Sequence, residues 1–298
     1  MVGVPSNMQS TMPKPFIKGP LTSRLLDLFD WLREKRRKYD ETSCAIINGE
    51  SGSGKSEIAK RYASLYPRVE ESERTYIPVL HIALPSIASK EELLKIILVK
   101  LGDPQRGEGA KNANRLLDRL GKLLKTTGVE LLIFDEVQGT IERRSNKVIT
   151  GIADLYKELI DITKIPIVFM GMPWSVHLID SNSQLRRRVT YRFVLPPFKI
   201  SDEESLRDYM RFMCILAEKF GFADSINLRD IATCYRIFSY TEGNLGVTYE
   251  LFRDVYMRAD SDGCAANYDV MKKVVARYRD RGATNPLELA IDKVRFRE

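Results

Sequence analysis

The chain has 298 residues, 44% of them hydrophobic and 29% charged, a composition that supports one large folded domain or two modest ones. Lys and Arg number 47 against 40 Asp and Glu, so the net charge of +7 tilts towards an acidic partner such as nucleic acid without deciding it. Four scattered cysteines (Cys44, Cys214, Cys234, Cys264) and two histidines (His81, His177) exclude a zinc cluster and fit a reducing cytoplasm, and no apolar run reaches the ~18 residues of a spanning helix.

In chain order, residues 1–15 are polar with three prolines and no apolar h-region, and read as a flexible arm rather than a signal peptide. Thr22–Tyr39 has the pattern of an amphipathic helix with Leu25, Leu26, Leu28, Phe29 and Leu32 on its apolar face. Arg33, Lys35, Arg36, Arg37 and Lys38 crowd its end, which suits either the negative end of the helix dipole or contact with DNA. Five apolar runs follow as strands: Cys44–Asn48, Tyr76–Ile82, Glu130–Phe134, Ile165–Met170 and Tyr191–Leu195. Helical patterns at Ser89–Leu101, Asn112–Lys125 and Asn146–Ile162 lie between them, and this alternation implies βαβ units and a parallel sheet. Pro78 cannot donate to a ladder, so the second strand belongs at a sheet edge.

After Pro196-Pro197 the strand signal stops. Helices are expected at Asp202–Phe220, Leu228–Ser239, Leu245–Ala259 and Tyr268–Arg279. The expected organisation is an arm at 1–15, an α/β domain at 16–197, a small all-helical domain at 198–280 and a tail at 281–298.

The strongest chemical signal is Gly49-Glu50-Ser51-Gly52-Ser53-Gly54-Lys55-Ser56, which fits GxxxxGK[ST] between a strand and a helix that carries Glu57 in its first turn. Such a loop wraps phosphates with backbone N–H groups and adds the positive potential of a helix N-terminus, so 49–57 is the candidate ATP cradle. Lys55 is placed to reach the β- and γ-phosphates, and Ser56 to ligate magnesium. The run Leu131-Leu132-Ile133-Phe134 then delivers Asp135 and Glu136 at a strand tip. Asp135 is the second magnesium residue and Glu136 the general base that activates the attacking water. ATP and Mg²⁺ are therefore the expected cofactors. Gln184-Leu185-Arg186-Arg187-Arg188 precedes the fifth strand, where an arginine offered to a neighbouring subunit's ATP would sit; a solvated basic run or a DNA contact is the alternative, and the sequence does not choose among the three arginines.

Taken together, GESGSGKS, LLIFDEV, PIVFMGMP, QLRRR before a strand and a PPF turn, and TEGNLG in a helical region resemble the AAA+ ATPases of transposition. The likeness is to the TniB/TnsC group, with MuB as a more distant relative, and covers approximately Phe16 to Met257. It implies an AAA+ P-loop NTPase fold with a five-stranded parallel sheet and a helical lid. It also implies a bacterial, cytoplasmic, DNA-associated protein that binds ATP at subunit interfaces and assembles on duplex DNA as a ring or helical filament. Such proteins recruit and stimulate a DDE transposase, some of them through a TniQ-type adaptor, and hydrolysis dismantles the assembly. The sequence departs from the AAA+ pattern at two sensor positions, where Met172 and Gly246 stand, with Ser175 as a possible substitute for the first; this implies slow hydrolysis.

The resemblance places DNA in a central channel, held by its phosphates. Lys90, Arg106 and Lys111 in the segment between the second and third strands are the expected contacts, together with Lys147 and its neighbours Arg143 and Arg144. No sequence-reading motif is present, so little base preference is expected. Two other functions compete. A replication initiator or helicase loader of the ORC/Cdc6 type calls for a winged-helix domain after the lid, for which the stretch beyond Met257 is short. A signalling NTPase that never touches DNA sits poorly with the basic loops. His81, Trp31, Trp174 and the helical stripe Tyr209, Phe212, Met213 and Leu216 read as packing residues.

Overall fold

The structure, a computed structural model, describes residues 16, 19–72, 74–86, 89–109, 112–222, 224–278 and 284–294. The expected arm, Lys111 and parts of the expected tail lie outside the described residues. The chain divides between Pro196 and Pro197 into two compact units.

The first unit opens with α1 (Pro20–Tyr39), which has proline in its first turn, where no intrahelical N–H partner is lost. It buries Leu25, Leu28, Phe29 and Leu32. Three residues of its basic cluster are engaged within the chain. Arg33 donates to the Glu130 carboxylate and the Tyr62 hydroxyl, Lys35 donates to Ser43 and pairs with Glu41, and Arg36 donates to the carbonyls of Val129 and Thr163. These cations stitch the helix to the segments that enter the strands.

The chain continues through β1 (Cys44–Gly49), α2 (Lys55–Leu65), a two-residue antiparallel hairpin of β2 (Val69–Glu70) and β3 (Thr75–Tyr76), and then β4 (Val79–Ala83). After these come α3 (Lys90–Leu101), α4 (Ala113–Thr126), β5 (Leu131–Asp135), α5 (Asn146–Thr163) and β6 (Ile167–Gly171). Two short helices, α6 (Val176–Asp180) and α7 (Ser183–Arg188), lead into β7 (Val189–Leu195). The five long strands form one parallel sheet in the order β4-β5-β6-β1-β7. β1, β5 and β6 are buried at every residue, as continuous apolar runs covered on both faces should be.

The run Tyr76–Ile82 is not one strand. Tyr76 ends the hairpin, Pro78 interrupts, and β4 begins at Val79. Pro78 still marks the sheet edge, because β4 is the terminal strand, and its carbonyl accepts from the amides of Glu130 and Leu131 (2.9 and 3.2 Å). The hairpin and the helices α6 and α7 carry no strong periodicity and were not expected from sequence. The side chains of Ser89 and Asn112 cap α3 and α4, so both helices start one residue after the expected position. Behind the sheet, Tyr156 of α5 meets Phe134 and Phe169 edge-on, with centroids 5.2 and 5.0 Å away. This triangle fixes β5 and β6 against one helix.

The second unit contains α8 (Glu203–Lys219), α9 (Ile231–Thr241), α10 (Leu245–Ser261) and α11 (Tyr268–Arg277), with no strand among its described residues. Asp202, Asp230, Asn244 and Asn267 each cap one helix by accepting from an N-terminal amide. Asp230 sets the start of α9 three residues later than the apolar pattern alone implies. The core holds Tyr209, Met213, Phe252, Val255, Met271 and Val275, and the buried Tyr209 hydroxyl bonds Thr241 Oγ1 at 2.6 Å. Gly243 lies between α9 and α10 at φ +69, where a Cβ would stand 2.2 Å from the Phe198 carbonyl oxygen. Gly243→Ala is expected to destabilise this unit by about 1–3 kcal/mol through backbone strain, read as a lowered urea midpoint.

Candidate active site

β1 ends at Gly49, and the loop to α2 turns through Gly52 (φ 79) and Gly54 (φ 92), both left-handed. Glycine supplies these conformations without a Cβ clash. Gly49 is required by space: a Cβ there would lie 2.6 Å from Ser53 Oγ and 2.8 Å from the Leu195 carbonyl oxygen. Glu50 and Ser51 are exposed on the outer side of the loop, Ser53 is buried, and Ser56 and Glu57 sit half-buried in the first turn of α2. The Lys55 ammonium is buried and donates to the carbonyls of Gly49 and Glu50 and to Ser53 Oγ (2.7, 3.0 and 3.1 Å). Burial pulls its pKa below the usual lysine value, against the attraction of Glu136, Asp135 and Glu50.

Asp135 closes β5 and is 1% exposed. Burial by itself would push its carboxyl up. The His81 imidazole and the Ser56 hydroxyl outweigh that, and the carboxyl stays below the usual carboxylate range. His81 Nε2 stands 3.7 Å from Asp135 Oδ2, beyond hydrogen-bond length, so its pull is electrostatic. Glu136 follows in a left-handed conformation (φ 60, ψ 36), which turns its side chain out to solvent beside the loop rather than onward along the strand. The structure thus brings Lys55, Ser56, Asp135 and Glu136 to one end of the sheet, with Lys55 within electrostatic range of both carboxylates. A hydroxyl and an ionised carboxylate form the hard-oxygen pair that magnesium prefers, and the buried ammonium beside loop carbonyls fits a polyphosphate.

Two residues were missed. His81 looked like strand packing, yet it points at Asp135 with its Nε2 buried and without a hydrogen-bond partner. Gln138, two residues after Glu136, donates to the Glu136 carboxylate and accepts from the Met172 amide at 3.2 Å. Its nearness to the Asp-Glu pair was the available signal. At the suspected sensor position Met172 offers only its backbone, and Ser175 is fully buried with its Oγ unpaired.

The arginine triplet ends α7, just before β7. Arg188 donates through Nε and Nη2 to Asp161 (2.9 and 2.5 Å) and through Nη1 to the Gln184 carbonyl, which commits it within its own chain. Arg186 and Arg187 are exposed. Among the basic candidates, Lys90 opens α3, and its Cε would lie 3.5 Å from a Cβ on Gly151 of α5. Lys147, one turn before Gly151, is exposed on the same helix, and Arg144 donates to Ser86 beside it. Lys90 and Lys147 therefore share one face. Arg106 is exposed at φ 51 at the opposite end of α3, about 18 Å away along the helix. Its loop is firmly built: Arg119 pairs with the buried Asp103 and donates to Gln105 and the Glu108 carbonyl, and Asp103 accepts from the Gly107 amide.

A P-loop after β1, an Asp-Glu pair at the tip of a strand two positions away in the sheet, and five parallel strands in this order define an AAA+ P-loop NTPase fold. The fold matches the ORC2 protein of Aeropyrum pernix, solved as ADPNP-ADP complexes, with TM-score 0.63 and 16% identity over 89% of this chain and 68% of that one. It matches the ORC1 protein of the same organism, solved in complex with DNA, with TM-score 0.56 and 15% identity over 86% of this chain and 64% of that one. Cdc6p of Pyrobaculum aerophilum gives TM-score 0.59 at 15% identity over 90% and 69% of the two chains. The family model described as bacterial TniB protein matches residues 9–200, and the chain belongs to that family. No curated protein matches the sequence. No described helix is long and apolar enough to cross a membrane.

Arg188→Ala is expected to lower stability by about 0.5–1 kcal/mol through loss of the Asp161 pair, whereas Arg187→Ala stays within about 0.5 kcal/mol of the parent, both read by denaturant unfolding.

Proposed function

We propose that this TniB-family ATPase hydrolyses ATP and regulates DNA transposition, assembling on duplex DNA as a ring or helical filament and recruiting a DDE transposase. The observation that carries the enzymatic part is the juxtaposition of the buried Lys55 and the half-buried Ser56 with Asp135 and Glu136 at one end of the sheet. The family membership supports the process, and a TniQ-type adaptor is the target-selection partner this reading calls for. Similarity to initiator proteins is of fold alone, at 14–16% identity, and does not favour replication.

In this reading the 49–54 backbone cradles the phosphates with its N–H groups, and Lys55 exchanges its loop carbonyls for phosphate oxygens. Ser56 and Asp135 would hold Mg²⁺, which when bound neutralises charge on the phosphates and orients them. Glu136 takes the proton of the attacking water. Arg186 or Arg187 on the exposed face of α7 reaches the site of the next subunit, as Arg188 is held by Asp161. Lys90 and Lys147 form the main phosphate-contacting face on duplex DNA, with Arg106 as a separate contact; Lys111 completes the set of proposed contacts.

Lys55→Ala is expected to abolish binding of a fluorescent ATP analogue and ATP-dependent assembly on duplex DNA; normal coating of DNA by that variant, seen by negative-stain microscopy, would refute ATP-gated assembly. Glu136→Gln is expected to bind ATP and reduce phosphate release by about 100-fold or more, giving longer-lived complexes on DNA. Lys90→Ala and Lys147→Ala should each reduce the slope of log affinity against log salt by about 0.9 in mobility-shift titrations, at any DNA sequence. An unchanged slope in both would remove this face from the DNA interface.

A further inference from the structure

Three buried or half-buried polar side chains gather at the C-terminal end of β6: Asn48 from the neighbouring strand β1, Ser175 beyond β6, and Gln138 from the turn after Glu136. Asn48 Oδ1 and Ser175 Oγ have no hydrogen-bond partner, whereas Gln138 uses both ends of its amide. Its Nε2 donates to Glu136 Oε2 and its Oε1 accepts from the Met172 amide. The two contacts fix the amide orientation: turning it over would set an oxygen against the Glu136 carboxylate and an NH₂ against an N–H.

The route is permitted by one residue. A Cβ on Gly171 would stand 2.9 Å from Gln138 Oε1 and 2.2 Å from Ser175 Oγ. Any side chain at 171 would therefore displace the amide that crosses there. The same turn holds Glu136 left-handed at φ 60, a conformation that disfavours a residue with a Cβ and that persists only where neighbours hold it.

The geometry points to Gln138 as the positioning residue for Glu136 in ATP hydrolysis, an inference that rests on the ATPase reading above. An exposed glutamate samples several rotamers, and a base is effective only in the one that meets its water. By holding Oε2 against the end of β6, Gln138 leaves Oε1 to accept the water proton and ties the base to the strand that separates it from the phosphate loop. Its part is to hold Glu136, through one hydrogen bond to the carboxylate and one to the Met172 amide.

The test compares the full-length wild type with Gln138→Glu and Gln138→Met in single-turnover hydrolysis with Mg²⁺-ATP and duplex DNA, with ATP affinity measured alongside. Gln138→Glu keeps an oxygen for the Met172 amide but loses the donor and sets a second carboxylate against Glu136; Gln138→Met keeps the shape and loses both bonds. Either variant is expected to bind ATP within about twofold of wild type and to hydrolyse it at least about tenfold more slowly. Added to Glu136→Gln, the same substitutions are expected to cause no further loss, because no base remains to be positioned. Wild-type rates in both variants, or an undiminished loss in the Glu136→Gln background, would overturn the inference alone. Absence of turnover in the wild type would overturn the ATPase reading and this inference with it.

Discussion

β6 lies between the two strands that carry the candidate chemistry. The phosphate loop leaves β1 and the carboxylates leave β5, and parallel pairing spaces neighbouring strands by about 4.8 Å, so the two groups stand roughly two strand widths apart. That gap lies between the phosphate loop and Asp135. It also means that any direct coupling between the two halves passes over the end of β6. The chain meets this constraint with a glycine at 171, a backbone amide at 172 and a glutamine that reaches over them.

Placing these strands rigidly is the work of the core. β1, β5 and β6 have no exposed residue, and the Phe134, Tyr156 and Phe169 rings interlock behind the carboxylate end. The opposite end is fixed differently. There, Arg33, Lys35 and Arg36 of α1 bind Glu130, Ser43 and the carbonyls that precede β5 or end α5. Apolar packing sets the depth of the strands in the sheet, and charged hydrogen bonds pin the helix across their starts. The buried ammonium of Lys55 is satisfied by neutral carbonyls and a hydroxyl, so phosphate oxygens would replace weaker acceptors with anionic ones.

Much of the fold was legible. The fully buried strands announce themselves as short apolar runs, and the helices by their 3.6-residue apolar spacing. The glycine-rich motif and the Asp-Glu pair are local in sequence, and the folded chain places them together. What was not legible depended on contacts across strands. His81 reads as packing until β4 pairs with β5 and sets it beside Asp135. The basic end of α1 reads as a match to the helix dipole or a DNA contact until its partners arrive from residues far along the chain. The arginine triplet reads as three equals until α7 turns Arg188 towards Asp161.

The sequence by itself determined the kind of sheet, the loop that can hold phosphate, the residues at the strand tip and the family. These are set by periodicity, by glycine's conformational range and by runs of contiguous residues, all of which act within a few positions of the chain. Only the tertiary structure decided which cations are free, which histidine faces the buried carboxylate, and that Gln138 holds Glu136 over the end of β6. Those outcomes depend on strand order and on space between segments distant in sequence, and no local pattern encodes either.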